Sequence, residues 1–211
     1  MHRRLELPAM LNIFARASLS RLTDPVGTAM VRLGLTPNAV TVTGAVAASA
    51  SALWFFPRGE LFVGSAVVTV FLLFDVLDGA MARAGGKASS FGGVLDASCD
   101  RIVDGALFAA LVWWALVVDG NTTRGAALLI CLVGAQVISY VKARAEANGL
   151  HADGGLAERA ERFIVVLVGT GLHGLGVPVV LDVALWLLVA LSLATIAQRL
   201  HAVHVSAEQR P

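Results

Sequence analysis

The sequence predicts an all-α integral membrane protein, with six transmembrane helices preceded by an N-terminal amphipathic helix on the membrane surface. Two observations lead to this fold class. The chain of 211 residues is 57% hydrophobic and only 15% charged, with a mean hydropathy of +0.76, whereas soluble domains carry about 25% charged residues. The charges are also confined to short stretches between long apolar runs, an arrangement typical of membrane spans.

Residues 1–35 are predicted to form a cytoplasmic leader that lies on the membrane surface. Apolar residues from Leu11 to Leu33 recur at helical spacing and alternate with arginines, as expected for a basic amphipathic segment on an anionic membrane. Pro25 predicts a division into two short helices. A disordered basic leader is the alternative, but the helical spacing of the apolar residues favours the surface helix.

Residues 36–203 are predicted to hold the six spans, and residues 204–211 a cytoplasmic tail. Thr36 and Pro37 form a helix start, with threonine as the N-cap and proline at the first helical position. From Ala39 to Phe56 the chain carries no charged residue. The six spans are expected at residues 39–56, 61–83, 91–118, 124–146, 158–175 and 179–200.

The distribution of basic residues predicts the orientation. Six spans return the chain to its starting side, and every lysine and arginine except Arg58 and Arg124 then falls on that side. The positive-inside rule places both termini there, at the cytoplasmic face of the plasma membrane. The net charge of +1 gives no global basic field, so we do not expect nucleic acid as a partner. Cys99 and Cys131 are expected to be small buried residues, because their spacing suits neither zinc nor a disulfide.

Four aspartates lie at the predicted cytoplasmic ends of spans two and three. The second apolar run stops at Phe74, too short for the roughly 20 residues that cross the hydrocarbon. Its helix must therefore continue through Asp75 and Asp78. Asp96 and Asp100 lie in the opening turns of span three, and each pair has a spacing that puts both carboxylates on one helix face.

Carboxylates in such proximity repel one another unless a cation lies between them. Magnesium prefers carboxylate oxygens, and two ions can clamp a phosphoryl group, with manganese as a possible replacement. Gly79 would let a ligand approach the backbone, Arg83 could pair with a phosphate, and Asp100 could accept a proton from an attacking hydroxyl. An interfacial belt of ion pairs with neighbouring basic residues is the alternative, but four aspartates at these spacings favour the metal site.

The pattern Asp75-x-x-Asp78-Gly79-x-x-Ala82-Arg83, eight further residues, and Gly92-x-x-x-Asp96-x-x-x-Asp100 resembles the complete signature of the CDP-alcohol phosphotransferases. The resemblance implies that a CDP-linked lipid, CDP-diacylglycerol, donates its phosphatidyl group to an acceptor hydroxyl, and that CMP leaves. It implies that the four aspartates hold two divalent ions and that Asp100 is also the general base. It further implies donor contacts by Asn38, Thr41, Gly79, Arg83 and Ser89, and a homodimer. Asn38 and Thr41 could equally serve helix-start hydrogen bonds.

The identity of the acceptor depends on residues outside this signature. Basic residues fall at the predicted cytoplasmic ends of spans four, five and six, where they could bind a second phosphate, carried by the acceptor. Some of these basic residues could instead be ordinary cytoplasmic charges of the kind that the positive-inside rule describes. Arg159 could pair with Glu158 or Glu161. The candidate ligands of the acceptor phosphate are Ser139, Lys142, Arg162 and Arg199.

This pattern is most similar to that of bacterial family members that use inositol 3-phosphate and make phosphatidylinositol phosphate. Members that use glycerol 3-phosphate, and members that use free inositol, are the alternatives. A divalent-cation transporter is a hypothesis of a different class, because intramembrane carboxylates also line ion paths. A transporter would need polar residues through the bilayer midplane, where spans one, four and six are mostly apolar.

Overall fold

A computed structural model describes residues 24–84, 89–152 and 154–209, which form α-helices and short turns and contain no strand. Within the third helix, the side chains of residues 75, 76, 78 and 82–84 also lie outside the description. Most of the predicted surface helix, which begins near residue 11, falls outside these ranges. The helices are α1 (residues 24–32), α2 (Pro37–Phe55), α3 (Leu61–Ala84), α4 (Ser90–Trp113), α5 (Thr122–Ala147), α6 (Arg159–Gly174) and α7 (Pro178–Glu208).

In the part of the chain that the structure describes, five helices are long and apolar enough to cross a membrane: α2, α3, α4, α5 and α7. Large apolar side chains such as Trp54, Val133 and Val179 are exposed on these helices, as expected where lipid replaces water. The chain is therefore an integral membrane protein. Helix α6 has 16 residues, or about 24 Å at 1.5 Å per residue, which is less than the roughly 30 Å of a hydrocarbon core.

The helix bounds agree with the sequence prediction at most ends, but α7 is longer. We expected the last span to end near Leu200, whereas α7 continues to Glu208 and includes His201 and His204. No glycine or proline interrupts this stretch before Pro211, so nothing in it stops the helix. The His204 side chain lies 3.3 Å from that of Glu208, one turn further along α7.

The chain divides into two compact units. Unit 1 comprises residues 1–46 and 70–100, and unit 2 comprises residues 47–69 and 101–211. Helices α2, α3 and α4 each run from one unit into the other. The predicted signature therefore falls in unit 1, whereas the predicted acceptor residues fall in unit 2.

In unit 1, a glycine lets α1 approach α3 closely. A Cβ atom at Gly27 would lie 2.9 Å from the backbone nitrogen of Met81 and 3.0 Å from the Cβ of Ala80, closer than packed atoms allow. Helix α1 ends in a Schellman motif, in which the Leu35 amide donates to the Met30 carbonyl at 3.2 Å and Gly34 has a φ of 81°. The chain then turns directly into α2.

The start of α2 confirms the predicted cap. The amide of Ala39 donates to Thr36 Oγ1 at 3.3 Å, and Pro37 is the first helical residue. Threonine satisfies one of the amides that no helical carbonyl can reach, and proline has no amide to satisfy.

Unit 2 is built around α7, which packs along both α5 and α6. Many of its fully buried side chains are aliphatic, among them Leu107, Leu111, Leu128, Ile138, Val166, Leu181, Leu185 and Leu188. Small residues allow the close approach of these helices, since a Cβ at Gly134 would lie 3.1 Å from the Cβ of Ser192, as is common in membrane helix packing. The buried Cys131 confirms the prediction for that cysteine, and Cys99 in unit 1 is buried as well.

One end of unit 2 is held by what we term the Arg124 clamp: Arg124, Asp119, Asp182 and Trp114. Arg124 Nε and Nη2 donate to the two carboxylate oxygens of Asp182 at 2.8 and 2.9 Å, and Nη1 donates to Asp119. The guanidinium also lies 5.4 Å from the centre of the Trp114 ring. The clamp joins the start of α5 to the start of α7 and to the π-helical turn Trp114–Val118 that follows α4.

Candidate functional site

Helix α4 presents two of the four predicted metal ligands. Asp96 and Asp100 are half-buried and one helical turn apart. Helix α4 starts at Ser90, and the residue before it, Ser89, accepts a hydrogen bond at Oγ from the Gly92 amide at 2.9 Å. Ser89 is therefore the N-cap of the helix that carries these two carboxylates.

Asn38 and Ser89 both lie beside Gly92. A Cβ atom at Gly92 would be 3.0 Å from Ser89 Oγ and 3.2 Å from Asn38 Oδ1. Three residues singled out from the sequence are thus brought together within unit 1 by the starts of α2 and α4. This crowding explains why the signature has glycine at position 92, because any side chain there would displace the polar group of Ser89 or Asn38.

Thr41 lies one turn further along α2, and its hydroxyl donates to the Pro37 carbonyl at 3.1 Å. This hydrogen bond is internal to α2. It agrees with the interpretation that Thr41 serves hydrogen bonding at the helix start, which the sequence left open beside a contact to the donor. Thr41 also makes a further interaction.

The other two predicted ligands, Asp75 and Asp78, belong to α3, which continues through them to Ala84 as expected from the shortness of the apolar run. Their side chains and that of Arg83 lie outside the described part of the structure. Gly79 is half-buried, and the next two residues, Ala80 and Met81, are fully buried.

The donor set at these positions fits a hard divalent cation. All four predicted ligands are carboxylates, the oxygen ligands that magnesium and manganese prefer. The described side chains include two of these four, and among the described side chains no three His, Cys, Asp or Glu residues are grouped closely enough to hold a metal.

Unit 2 contains a basic cluster that the sequence revealed only in part. We define the arginine cluster as Arg101, Arg159, Arg162 and Arg199 with the carboxylate of Asp104. Asp104 is 1% exposed and lies 3.0 Å from Arg101, 3.3 Å from Arg159 and 4.0 Å from Arg162, measured between carboxylate oxygen and guanidinium nitrogen. Arg199 is near enough to Arg162 for their charges to repel.

Backbone carbonyls hold the two arginines that the sequence singled out. Arg162 Nη1 donates to the Ala157 carbonyl at 2.9 Å. Arg199 donates to the carbonyls of Gly154 at 3.0 Å and Ile138 at 2.7 Å. Both side chains are about 95% buried, since their exposed fractions are 4% and 5%. The structure therefore brings Arg162 and Arg199 together with the part of α5 that carries Ser139.

The remaining two acceptor candidates are placed less tightly. Ser139 is half-buried, and its hydroxyl donates to the Ala135 carbonyl at 3.1 Å. Lys142 lies three residues further along α5, with its side chain 45% exposed and its ammonium 4.0 Å from Glu146. At that distance and exposure the ion pair is weak, so it does not hold the lysine in one position.

Arg159 pairs with a carboxylate that is distant along the chain. The sequence suggested Glu158 or Glu161, whereas Arg159 pairs with Asp104, a residue 55 positions away in the chain. Proximity along the sequence favoured the glutamates, but folding places the arginine over the ring of Phe163 at 4.8 Å, with Asp104 beside it. Asp104 continues the four-residue spacing of Asp96 and Asp100 along α4, a signal that could have marked it.

Comparison with known proteins identifies the family. The sequence pattern of the CDP-alcohol phosphatidyltransferases matches residues 34–198. The phosphatidylinositol phosphate synthase of Mycobacteroides abscessus is 52% identical over 198 residues, covering 93% of this chain and 90% of that protein. The same enzyme of Mycobacterium tuberculosis is 50% identical over 199 residues, covering 93% and 92%.

Solved structures of family members also resemble this chain. The crystal structure of the Mycobacterium tuberculosis phosphatidylinositol phosphate synthase with CDP-DAG bound matches with a TM-score of 0.85 at 50% identity, covering 90% of this chain and 98% of that one. The same protein in complex with manganese and citrate matches with a TM-score of 0.83, covering 90% and 93%. This chain therefore belongs to the CDP-alcohol phosphatidyltransferase family, whose members are divalent-metal-dependent enzymes of phospholipid synthesis.

Proposed function

We propose that the protein transfers the phosphatidyl group of CDP-diacylglycerol to a hydroxyl of inositol 3-phosphate, giving phosphatidylinositol phosphate and CMP. The arginine cluster carries this proposal. Three guanidinium groups, those of Arg101, Arg159 and Arg162, lie within 4.0 Å of the single carboxylate of Asp104. Arg162 and Arg199 are themselves only 4% and 5% exposed. Buried charge of one sign is costly unless a counter-charge is present, and a phosphate monoester, with nearly two negative charges at neutral pH, supplies one.

The same cluster argues against acceptors without a phosphate. Free inositol, serine and choline offer no dianion to balance buried arginines. Guanidinium groups suit phosphate because their planar donors match its oxygens. We assign Arg162 and Arg199 to the acceptor phosphate, with Ser139 and Lys142 as further contacts. The named relatives, all phosphatidylinositol phosphate synthases, support inositol over glycerol as the alcohol.

On the donor side, Asp75, Asp78, Asp96 and Asp100 hold two divalent ions, magnesium or manganese. When bound, such ions neutralise the charge of a diphosphate and stabilise the oxygens that attack and leave. Asn38, Thr41, Gly79, Arg83 and Ser89 bind the CDP-diacylglycerol.

The reaction is a displacement at phosphorus. The acceptor hydroxyl oxygen forms a bond to the phosphorus of the phosphatidyl group, and the bond from that phosphorus to the CMP oxygen breaks. Asp100 accepts the proton of the attacking hydroxyl, as general bases do when they lie within hydrogen-bond reach. CMP leaves with the electron pair of the broken bond.

We propose six spans with α6 as the fifth, both termini and the site at the cytoplasmic face of the plasma membrane, and a homodimer. Helix α6 packs along α7, which supports its placement among the spans despite its length. Its first turn carries charged residues, which a short tilted helix can keep at the interface.

An acceptor panel tests the proposal. Purified protein with CDP-diacylglycerol and magnesium is given inositol 3-phosphate, glycerol 3-phosphate or free inositol, and CMP release is measured. We expect turnover with inositol 3-phosphate to exceed that with glycerol 3-phosphate, and little with free inositol. Preference for glycerol 3-phosphate would keep the phosphate argument and overturn inositol as the alcohol. Turnover with free inositol alone would overturn the role of the arginine cluster, and no metal-dependent CMP release would favour the cation transporter.

A further inference from the structure

Asp104 is the centre of the arginine cluster, although it lies outside the family signature. It follows Asp100 by four residues on α4 and is 1% exposed. Carboxylates are almost never buried to this degree unless they are paired, because removing the charge from water is costly. Its surroundings account for the burial, since three guanidinium groups lie within 4.0 Å of its oxygens.

The arginines of the cluster are held in two different ways. Arg162 and Arg199 donate to backbone carbonyls at 2.7–3.0 Å, as described above. Arg159 instead reaches Asp104 through Nε, at 3.3 Å. Arg101 reaches the other oxygen of the same carboxylate through Nη2, at 3.0 Å. A single side chain thus joins an arginine of α4 to one of α6.

Charge and geometry lead to opposite expectations for this carboxylate. By charge alone, Asp104 weakens anion binding, because it cancels one of the four positive charges, and its removal would tighten the hold on a phosphate. By geometry, it fixes the direction of flexible arginine side chains before the anion arrives. Binding then costs less ordering entropy, and removal of Asp104 would weaken the hold.

The geometric effect is the larger here. The position of Arg162 depends little on the charge of Asp104. Its Nη2 lies 4.0 Å from the Asp104 carboxylate, and the Ala157 carbonyl accepts a hydrogen bond from its Nη1. Arg159 is 21% exposed and loses a charge-assisted hydrogen bond. Without the charge of Asp104, the arginines of the cluster would also repel one another more strongly, and the most mobile would move away from the cluster.

We propose that Asp104 is a positioning residue for the acceptor: by pairing with Arg101 and Arg159, it holds their guanidinium groups ready for the acceptor phosphate. The proposal rests on the proposed function, because it presumes an acceptor that carries a phosphate. It adds Arg101 and Arg159 to the residues that recognise this phosphate.

The test compares Asp104→Asn, which keeps the shape and removes the charge, with the wild-type protein in full steady-state kinetics. We expect the KM for inositol 3-phosphate to rise about 10- to 100-fold, by analogy with the loss of residues that orient metal ligands. The KM for CDP-diacylglycerol should stay within twofold. Asp182→Asn is the matched control, because it removes a carboxylate from another arginine of unit 2, and both KM values should remain those of the wild type.

Some outcomes overturn the proposal. A fall or no change in the KM for inositol 3-phosphate in Asp104→Asn would mean that charge outweighs geometry. An equal loss with both substrates would mean a merely structural role. Should Asp104→Asn fail to fold, Arg159→Gln tests the same idea: we expect a raised KM for the acceptor alone, and an unchanged KM would overturn the proposal.

The KM of the double variant Asp104→Asn/Arg159→Gln for the acceptor shows whether Asp104 and Arg159 contribute to acceptor binding through the same interaction. We expect its KM for the acceptor to be no higher than that of the worse single variant, because Asp104 acts through the arginine. Multiplicative effects would overturn the inference. If the wild-type protein prefers glycerol 3-phosphate, the proposed function fails but the same comparison with that acceptor still tests Asp104. If only free inositol is used, both fail.

Discussion

Replacement of Arg124 by methionine should destabilise the protein without changing catalysis. Arg124 is 6% exposed and makes a two-pronged contact with Asp182 at 2.8 and 2.9 Å, together with a bond to Asp119. Hydrogen bonds to charged groups contribute about 1.5–3 kcal/mol each. Asp182 is 45% exposed and Asp119 26%, so both carboxylates regain water when the arginine is lost, and methionine retains much of the packing. We therefore expect a net loss of about 2 kcal/mol.

For a chain of this length, 1 kcal/mol lowers Tm by about 2–4 °C, so Arg124→Met should lower it by about 4–8 °C. The assay is thermal unfolding in one detergent at fixed protein concentration, with KM values measured in parallel. The double variant with Asp182→Asn should lose less than the sum of the two single losses, since the residues form one contact. A fall in Tm of less than about 1 °C, or strictly additive losses, would refute the clamp as a stabilising unit.

Three further predictions concern the candidate active site. Asp100→Asn should lower kcat for CMP release by about 10²- to 10⁴-fold, as loss of a general base does, and an unchanged kcat would exclude that role. Gly92→Ala should impair turnover, because its Cβ would meet Ser89 Oγ at 3.0 Å and Asn38 Oδ1 at 3.2 Å; alanine at the exposed Gly93, which has nothing within 4 Å, is the matched control. Chelation by EDTA should abolish CMP release, and added magnesium or manganese should restore it; activity that survives chelation would contradict the metal site.

Much of the fold could be predicted from the sequence because a bilayer constrains a chain strongly. Apolar runs of sufficient length must be helical to satisfy their backbone groups, so the helices were found where the runs lie. The cap at Thr36 followed from local chemistry alone. The end of α7 was missed because apolarity, which marks a span, stops near Leu200 while the helix does not. A helix can continue beyond its apolar stretch where no breaker interrupts it, and hydropathy does not report that.

The sequence predicts which side chains of the candidate site lie together when they are close in the chain. It does not predict contacts between residues that are far apart in the chain. Asp96 and Asp100 could be assigned to one face of α4 because helical spacing is a local property. The pairing of Arg159 with Asp104 joins residues 55 positions apart, and no local rule selects this partner over an adjacent glutamate. Arg162 and Arg199 were found as positive charges, but the backbone carbonyls that hold them belong to the fold.

The division of the chain into two units has a consequence for how the family diversifies. The signature aspartates fall in unit 1, and the arginine cluster with the other proposed acceptor contacts falls in unit 2. If the proposed assignments are correct, substitutions that suit a new alcohol can accumulate in unit 2 while selection preserves the proposed phosphoryl-transfer residues of unit 1. The same separation suits laboratory evolution, in which libraries confined to unit 2 would search acceptor preference while leaving the donor residues intact.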